Sequence, residues 1–265
     1  LCLAKPIIFR SIFRLSTMHN NQNISQTEKA VLGLRGLIVH GQLRPGERVL
    51  EQILVERFGV SRTPARAAIQ QICEEGYISY VPKRGYVVSS FTEEDVFDAI
   101  AIRGTIEGMA ARVAAEKGVP PKVMAAMRDC LHRIDEVLTI ADINVRQSEY
   151  AVLNDQMHDL ICVAAQSAMI TRALKRLSVI PFSLNNSFTD VPPSAENRVA
   201  EILVEAQAQH HGIIDAIERR EGARAEALTK EHSRSTWKYT DLMLHLPEEV
   251  ELPGVLGTAI RSQTA

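Results

Sequence analysis

The sequence predicts a mainly α chain: an N-terminal winged helix-turn-helix with a small β-hairpin wing, followed by an all-α bundle of about six helices. Three observations predict it. Apolar residues recur at helical spacing on both sides of Gly59-Val60-Ser61, so one helix stops and another starts within a few residues. Two β-branched and aromatic runs, residues 77–81 and 86–89, flank Pro82-Lys83-Arg84-Gly85 and read as a hairpin with a basic tip. Beyond residue 90 there is no convincing strand, only long helical patterns punctuated by Gly and Pro.

The elements follow in order. Ser25-Gln26-Thr27-Glu28 is a capping-box pattern ahead of Val31, Leu34 and Ile38, with Gly41 as the stop. Residues 43–46 turn the chain into a second helix, whose Ile53, Leu54 and Phe58 lead to Gly59. Ser61 is placed to cap the third helix, Pro64 is tolerated in its first turn, and Ala65, Ala68, Ile69 and Ile72 form its buried face. After the hairpin, Thr92-Glu93-Glu94-Asp95 opens a long helix through Val96, Ile100, Arg103, Ile106, Glu107 and Ala110 to about Gly118. Pro120-Pro121 starts a helix to about residue 141, a third bundle helix covers about 145–165 and a fourth about 169–185. Thr189-Asp190-Val191-Pro192-Pro193-Ser194 is a loop, and two last helices run over about 196–220 and 223–245.

At 265 residues, with 46% hydrophobic and 23% charged, the chain can build a small domain and a larger one with separate cores. The net charge of -2 is unevenly split: residues 26–90 carry nine Lys/Arg against six Asp/Glu, and residues 91–265 carry eighteen against twenty-six. A basic module on an acidic body suits a nucleic-acid reader joined to something that is not one. Cys2, Cys73, Cys130 and Cys162 form no C-x-x-C pair, which argues against a disulfide framework or a cysteine zinc site and for a cytoplasmic location. No run of eighteen apolar residues exists, so no membrane span is expected. The expected boundaries are 1–24 for a disordered or non-native extension (with Met18 as its natural start), 25–90 for the winged domain, 91–245 for the helical domain and 246–265 for a tail.

The short helix pair has a direct use. Arg62, Thr63, Arg66 and Gln70 lie off the buried face of the third helix, and helix N-terminal residues of this kind reach base edges in a DNA major groove. The plainer reading is a helical hairpin with a solvated arginine pair. Lys83 and Arg84 at the hairpin tip are placed for phosphates or the minor groove. Leu43-Arg44-Pro45-Gly46-Glu47, Leu50-Glu51, Gly59-Val60-Ser61-Arg62-Thr63-Pro64 with Arg66, Glu75-Gly76-Tyr77 and Arg84-Gly85 together resemble the winged-helix domain of the GntR family of bacterial transcription regulators. The pattern departs at Ala67, where the family usually has Glu, and at Ile69, where Leu is commoner. The resemblance implies a homodimer on double-stranded operator DNA. Arg62, Thr63 and Arg66 would meet bases or nearby phosphates, and Ser61, Lys83, Arg84 and Gly85 would meet backbone or minor groove. Gln52 stands where some relatives carry a DNA-contacting Arg, so no strong contact is expected there.

Histidines mark the second domain. His158 follows Asn154 by four residues and Asp155 by three, near one helical face. His210 and His232 lie on the last two helices, and a hairpin turn near Gly222 leaves them only ~3 Å apart in height at the helical rise. Three histidines on three helices can converge on a divalent transition metal. His19, His40, His132 and His245 read as ordinary residues, and His211 as exposed or adjacent to the site. Arg103 shares a helix face with Ile100, Glu107 and Ala110, where it either pairs with an acid such as Glu107 or anchors an anion.

Residues 103–111 look like the opening helix of the FCD ligand-binding domain of the FadR subfamily, and His210-x-x-Ile213-x-x-Ala216-Ile217, Ala225 and His232 match its closing hairpin. By position the resemblance implies Asn154, His158, His210 and His232 as ligands of zinc, nickel or a similar ion, and Arg103 as a contact for a small carboxylate effector. Asn154 replaces the family's Asp, Met157 a common Phe, and Gln166-Ser167 a common Gly-Asn; Asp155 is a possible substitute ligand, and a metal-free polar pocket is the alternative. The prediction is a regulator rather than an enzyme: a repressor of a catabolic operon, controlled by an organic or sugar acid bound in a metal-containing helical pocket. The rivals are a metal-dependent hydrolase using the histidines and a DNA-binding dimer whose bundle is purely structural.

Overall fold

The computed structural model describes residues 24–39, 41–177 and 190–246, so the expectations for 1–23, for the rest of the fourth bundle helix and for the tail lie outside the described residues. Helix α1 (Gln26–Val39) starts where the Glu28 amide donates to Ser25 Oγ at 3.1 Å and buries Ala30, Val31, Leu34, Leu37 and Ile38. Helix α2 (Glu51–Phe58) stops at Gly59, whose φ of 64° is left-handed and whose amide closes on the Val55 carbonyl. Phe58 packs on α1 so tightly that a Cβ on Gly33 would lie 2.5 Å from its ring. Helix α3 (Arg62–Glu74) buries Ala65, Ala68, Ile69 and Ile72 as expected. Ser61 holds the cap position in extended backbone, but its hydroxyl makes no capping hydrogen bond, contrary to expectation.

Strands β1 (Ile78–Val81) and β2 (Gly85–Val88) pair antiparallel, with Ile78 opposite Val88 and Val81 opposite Gly85. The loop before α2 also joins the hairpin: the Gly46 amide donates to the Val88 carbonyl, the Val88 amide to Glu47 and the Val49 amide to Tyr86, at 2.8–2.9 Å. Sequence treats residues 43–46 only as a turn; the pairing anchors the wing to the rest of its domain.

Helix α4 (Glu93–Lys117) opens with a complete Thr92–Asp95 capping box. Helix α5 (Pro121–Val137) ends short of the expected 141, and α6 (Ile143–Ala165) starts before the expected 145, because Asp142 caps the amides of Asn144 and Val145. Helix α7 (Ala168–Leu177), a single 3-10 turn (Pro193–Ala195), α8 (Glu196–Glu218) and α9 (Gly222–Leu244) follow. Among the described residues the bundle is α4 to α9, with α4 packed along α9 and against α6, α7 and α8. Gly104 and Gly108 allow that approach: a Cβ on Gly104 would lie 2.5 Å from Ser233 Oγ, and one on Gly108 3.1 Å from the Glu226 carbonyl. No helix among the described residues is long and apolar enough to cross a membrane.

Candidate functional site

The basic face lies in water. Ser61, Arg62, Thr63 and Arg66 are exposed at the start of α3, and Lys83 and Arg84 at the hairpin tip. Lys83 and Gly85 both adopt left-handed backbone, with φ of 67° and 81°, which turns the tight tip between β1 and β2. Arg84 is tied back by a 3.1 Å hydrogen bond to the Gly46 carbonyl. Arg66 Nε donates to Glu51 Oε1 at 2.8 Å, and that hydrogen bond holds the Glu51 carboxyl below its ordinary range. Gln52 is engaged with Glu56 at 2.6 Å.

In the bundle, His158 on α6, His210 on α8 and His232 on α9 come together, each offering one ring nitrogen within 4.8 Å of the others. All three are buried. Their Nδ1 atoms face outward to partners: Glu107 Oε2 at 3.0 Å from His158, Gln207 Oε1 at 3.1 Å from His210 and Gln209 Oε1 at 3.2 Å from His232. The neighbours fix the proton positions. A carboxylate can only accept, so the 3.0 Å contact with Glu107 favours a proton on His158 Nδ1, although the ring N–H is not aligned on Oε2 for a hydrogen bond. Gln207 spends its amide hydrogens on the Leu131 carbonyl at 3.0 Å and Asp135 Oδ1 at 2.7 Å, so its oxygen faces His210. Gln209 Oε1 also accepts from Ser235 Oγ at 3.0 Å, which orients it for His232.

The three Nε2 lone pairs therefore point inward. His158 Nε2 and His232 Nε2 are 3.2 Å apart, and His210 Nε2 is buried without a hydrogen-bond partner. Two facing lone pairs at that distance repel unless a cation or proton sits between them. Tetrahedral ligands at the usual ~2.0–2.1 Å from zinc stand ~3.3 Å from each other, so the donor set fits such an ion. Burial and then the neighbouring histidines push His232 down to about 3 and His210 well below 6.5, which keeps both neutral, the form a metal requires. Burial alone would raise the Glu107 carboxyl, but His158 and Arg103 together hold it well below the usual carboxylate range.

The other expected residues are placed differently. Asn154 is buried one turn before His158 and lines a cleft of about 360 Å³, solvent mouth included, with Gln147, Tyr150, His232, Ser235 and Tyr239. The Tyr150 hydroxyl is buried there without a partner. Asp155, the suggested substitute, is not one of the three converging residues; its Oδ1 is buried without a hydrogen-bond partner, burial raises its carboxyl, and the opposite charges it meets are Arg103 and His158. Arg103 is outside the lining of this cleft, and its Nε donates to Glu107 Oε1 at 2.7 Å, the ion pair that is one of its two expected uses. His211 is half exposed and 3.0 Å from Asp135. His245 meets Glu93 and Asp241 at a partly exposed corner of α4 and α9. The residues the sequence does not mark as site members are Glu107, named there only as a partner for Arg103, and Gln207 and Gln209. Gln207 carries a faint signal, one helical turn before His210.

Residues 26–88 match the family model for bacterial regulatory proteins of the gntR family, and residues 98–235, over half of the chain, match the FCD domain. The chain belongs to the GntR family. This regulator is 28% identical over 200 residues (75% of it, 82% of the relative) to the HTH-type transcriptional repressor RspR of Escherichia coli K12. It is 23% identical over 199 residues (75% and 88%) to the repressor GlaR of the same strain. To the Nta operon transcriptional regulator of Aminobacter aminovorans it is 26% identical over 142 residues, covering 54% of this chain and 65% of that one. Among solved structures it shares its fold with E. coli McbR/YncC (TM-score 0.57, 17% identity, 83% of this chain and 100% of that one). The same holds for Lar of Listeria monocytogenes (TM-score 0.56, 19% identity, 84% and 100%). Its kin are transcription regulators, not enzymes, which removes the hydrolase reading of the histidines.

Proposed function

We propose that this regulator is a cytoplasmic homodimeric repressor of a catabolic operon, releasing or holding double-stranded operator DNA according to a small carboxylate effector bound beside a divalent transition metal. One observation carries the reading: three buried histidines, each with Nδ1 close to an oxygen acceptor and one ring nitrogen turned to the others, next to a cleft with a few polar groups. His158, His210 and His232 would hold zinc or nickel, with Asn154 as a neutral oxygen donor, the weakest member of the set. The ion would supply a positive anchor for an organic or sugar acid. The chain itself does the rest. Glu107, Gln207 and Gln209 keep the rings oriented, and Gln147, Tyr150, Ser235 and Tyr239 offer hydrogen bonds to an acid in the cleft. Arg103, paired with Glu107, would be the cationic contact for the effector's carboxylate.

At the other end, Arg62, Thr63 and Arg66 would meet bases or nearby phosphates, and Ser61, Lys83, Arg84 and Gly85 the backbone or minor groove. Four residues separate helix α4 from β2, and α4 forms one wall of the histidine core, so a change in the core would reach the DNA-binding domain through it. The roles of the relatives, repressors and an operon regulator, support the same reading. The test is elemental analysis of the purified chain, with thermal shift and operator binding across a panel of organic and sugar acids. Metal near one per chain with one stabilising acid that alters operator affinity is expected; no metal and no shift would leave a DNA-binding dimer with a structural bundle.

A further inference from the structure

We infer that Glu107 is a positioning residue of the metal centre, holding His158 in the tautomer that turns its Nε2 lone pair inward. The inference rests on the metal reading above and goes one step further, onto a helix that carries none of the ligands. The two carboxylate oxygens are divided: Oε2 lies 3.0 Å from His158 Nδ1 and Oε1 takes Arg103 Nε at 2.7 Å. The side chain is 8% exposed, so water does not compete for either oxygen. Gly104 and Gly108 flank Glu107 and press α4 onto α9, the helix of His232. Helix packing thereby sets where the carboxylate stands. A carboxylate behind a ligating imidazole fixes its tautomer and raises its basicity, and losing such a partner costs about 10–100-fold in metal affinity. A merely structural Glu107 would only satisfy Arg103 in the core.

Amide chemistry separates these two roles. In Glu107→Gln the side chain keeps one acceptor oxygen, and Arg103, which has only donors, claims it. The amide nitrogen then faces His158 Nδ1, the imidazole proton moves to Nε2, and ligation is weakened. In the double variant Arg103→Met with Glu107→Gln, the amide is free to turn its oxygen back to His158.

The experiment is a Co²⁺ titration of the full chain against a competing chelator, with circular dichroism to check folding. Glu107→Gln is expected to bind about 10–100-fold more weakly than wild type, and the double variant to recover most of the loss. Unchanged affinity in folded Glu107→Gln, or no recovery in the double variant, overturns the inference while leaving the metal site in place. A wild-type chain that takes up no Co²⁺ removes the metal reading and this inference with it. Should Glu107→Gln not fold, ¹⁵N-histidine NMR of the metal-free wild type decides: an Nδ1–H proton on His158 is expected, and an Nε2–H proton overturns the proposal.

Discussion

The two ends of this regulator handle charge in opposite ways. On α3 and the wing, Arg62, Arg66, Lys83 and Arg84 stand in water, and the one acid paired with Arg66, Glu51, is itself a third exposed. Such exposed pairs are weak and exchange readily for phosphates. In the bundle, Glu107, Arg103 and three histidines are out of water and each is tied to named partners. There a lost partner leaves an uncompensated buried group, which costs far more. The contrast teaches that the DNA face is tuned for exchange and the core for fixed geometry. Substitutions on the first should change DNA binding without changing stability, and substitutions on the second should change metal affinity and stability.

The largest expected effect tests the core. His158→Ala together with His210→Ala should abolish metal uptake and the stabilisation it brings, about 4 kcal/mol when free metal is a thousand times its Kd. Metal content and thermal melts with and without chelator measure it; unchanged metal would put the site elsewhere. Next is the DNA face. Arg66→Ala should weaken specific operator binding by about 10–100-fold, as for a lost base contact, while the melting temperature stays put. Operator affinity retained at physiological salt would sink the recognition-helix assignment.

A smaller effect comes from pH. A histidine in the unfolded chain titrates near 6.5, whereas His232 in the fold titrates at about 3 and His210 well below its ordinary value. Above pH 6.5 both states are neutral and no penalty applies. Below it the unfolded chain binds protons that the fold excludes, so the metal-free protein should lose about 1 kcal/mol per pH unit for each of these histidines. Urea melts at pH 7 and 5.5 check this, and stability that rises on acidification would contradict it. The smallest effect is Glu51→Gln, which frees Arg66 from its exposed pair. Operator affinity should rise by no more than about fivefold, the scale of a surface ion pair. A clear loss instead would make Glu51 the residue that aims Arg66.

Much of this was legible in the chain, for local reasons. Gly59 stops α2 because left-handed backbone follows an apolar helical run, and Thr92 with Asp95 opens α4 because a capping box needs only four consecutive residues. The wing strands announce themselves by β-branched and aromatic residues, and the matched heights of His210 and His232 follow from helical rise and one hairpin turn. These are properties of single elements or of neighbours joined by a short turn, so periodicity and spacing suffice.

What the tertiary structure decided is how elements distant in sequence are rotated and pressed together. The strand-like pairing of residues 46–49 with β2 leaves no mark in local pattern, since the hydrogen bonds are made by backbone. Arg103 and Glu107 share a face of α4, and the sequence allows either an internal ion pair or an arm towards the effector. In the bundle Glu107 pairs with Arg103 and stands 3.0 Å from His158 on α6, while Arg103 is outside the lining of the cleft. Spacing along a helix states which residues share a face. Which atom that face meets is set by close packing against another helix, and only the assembled bundle supplies that.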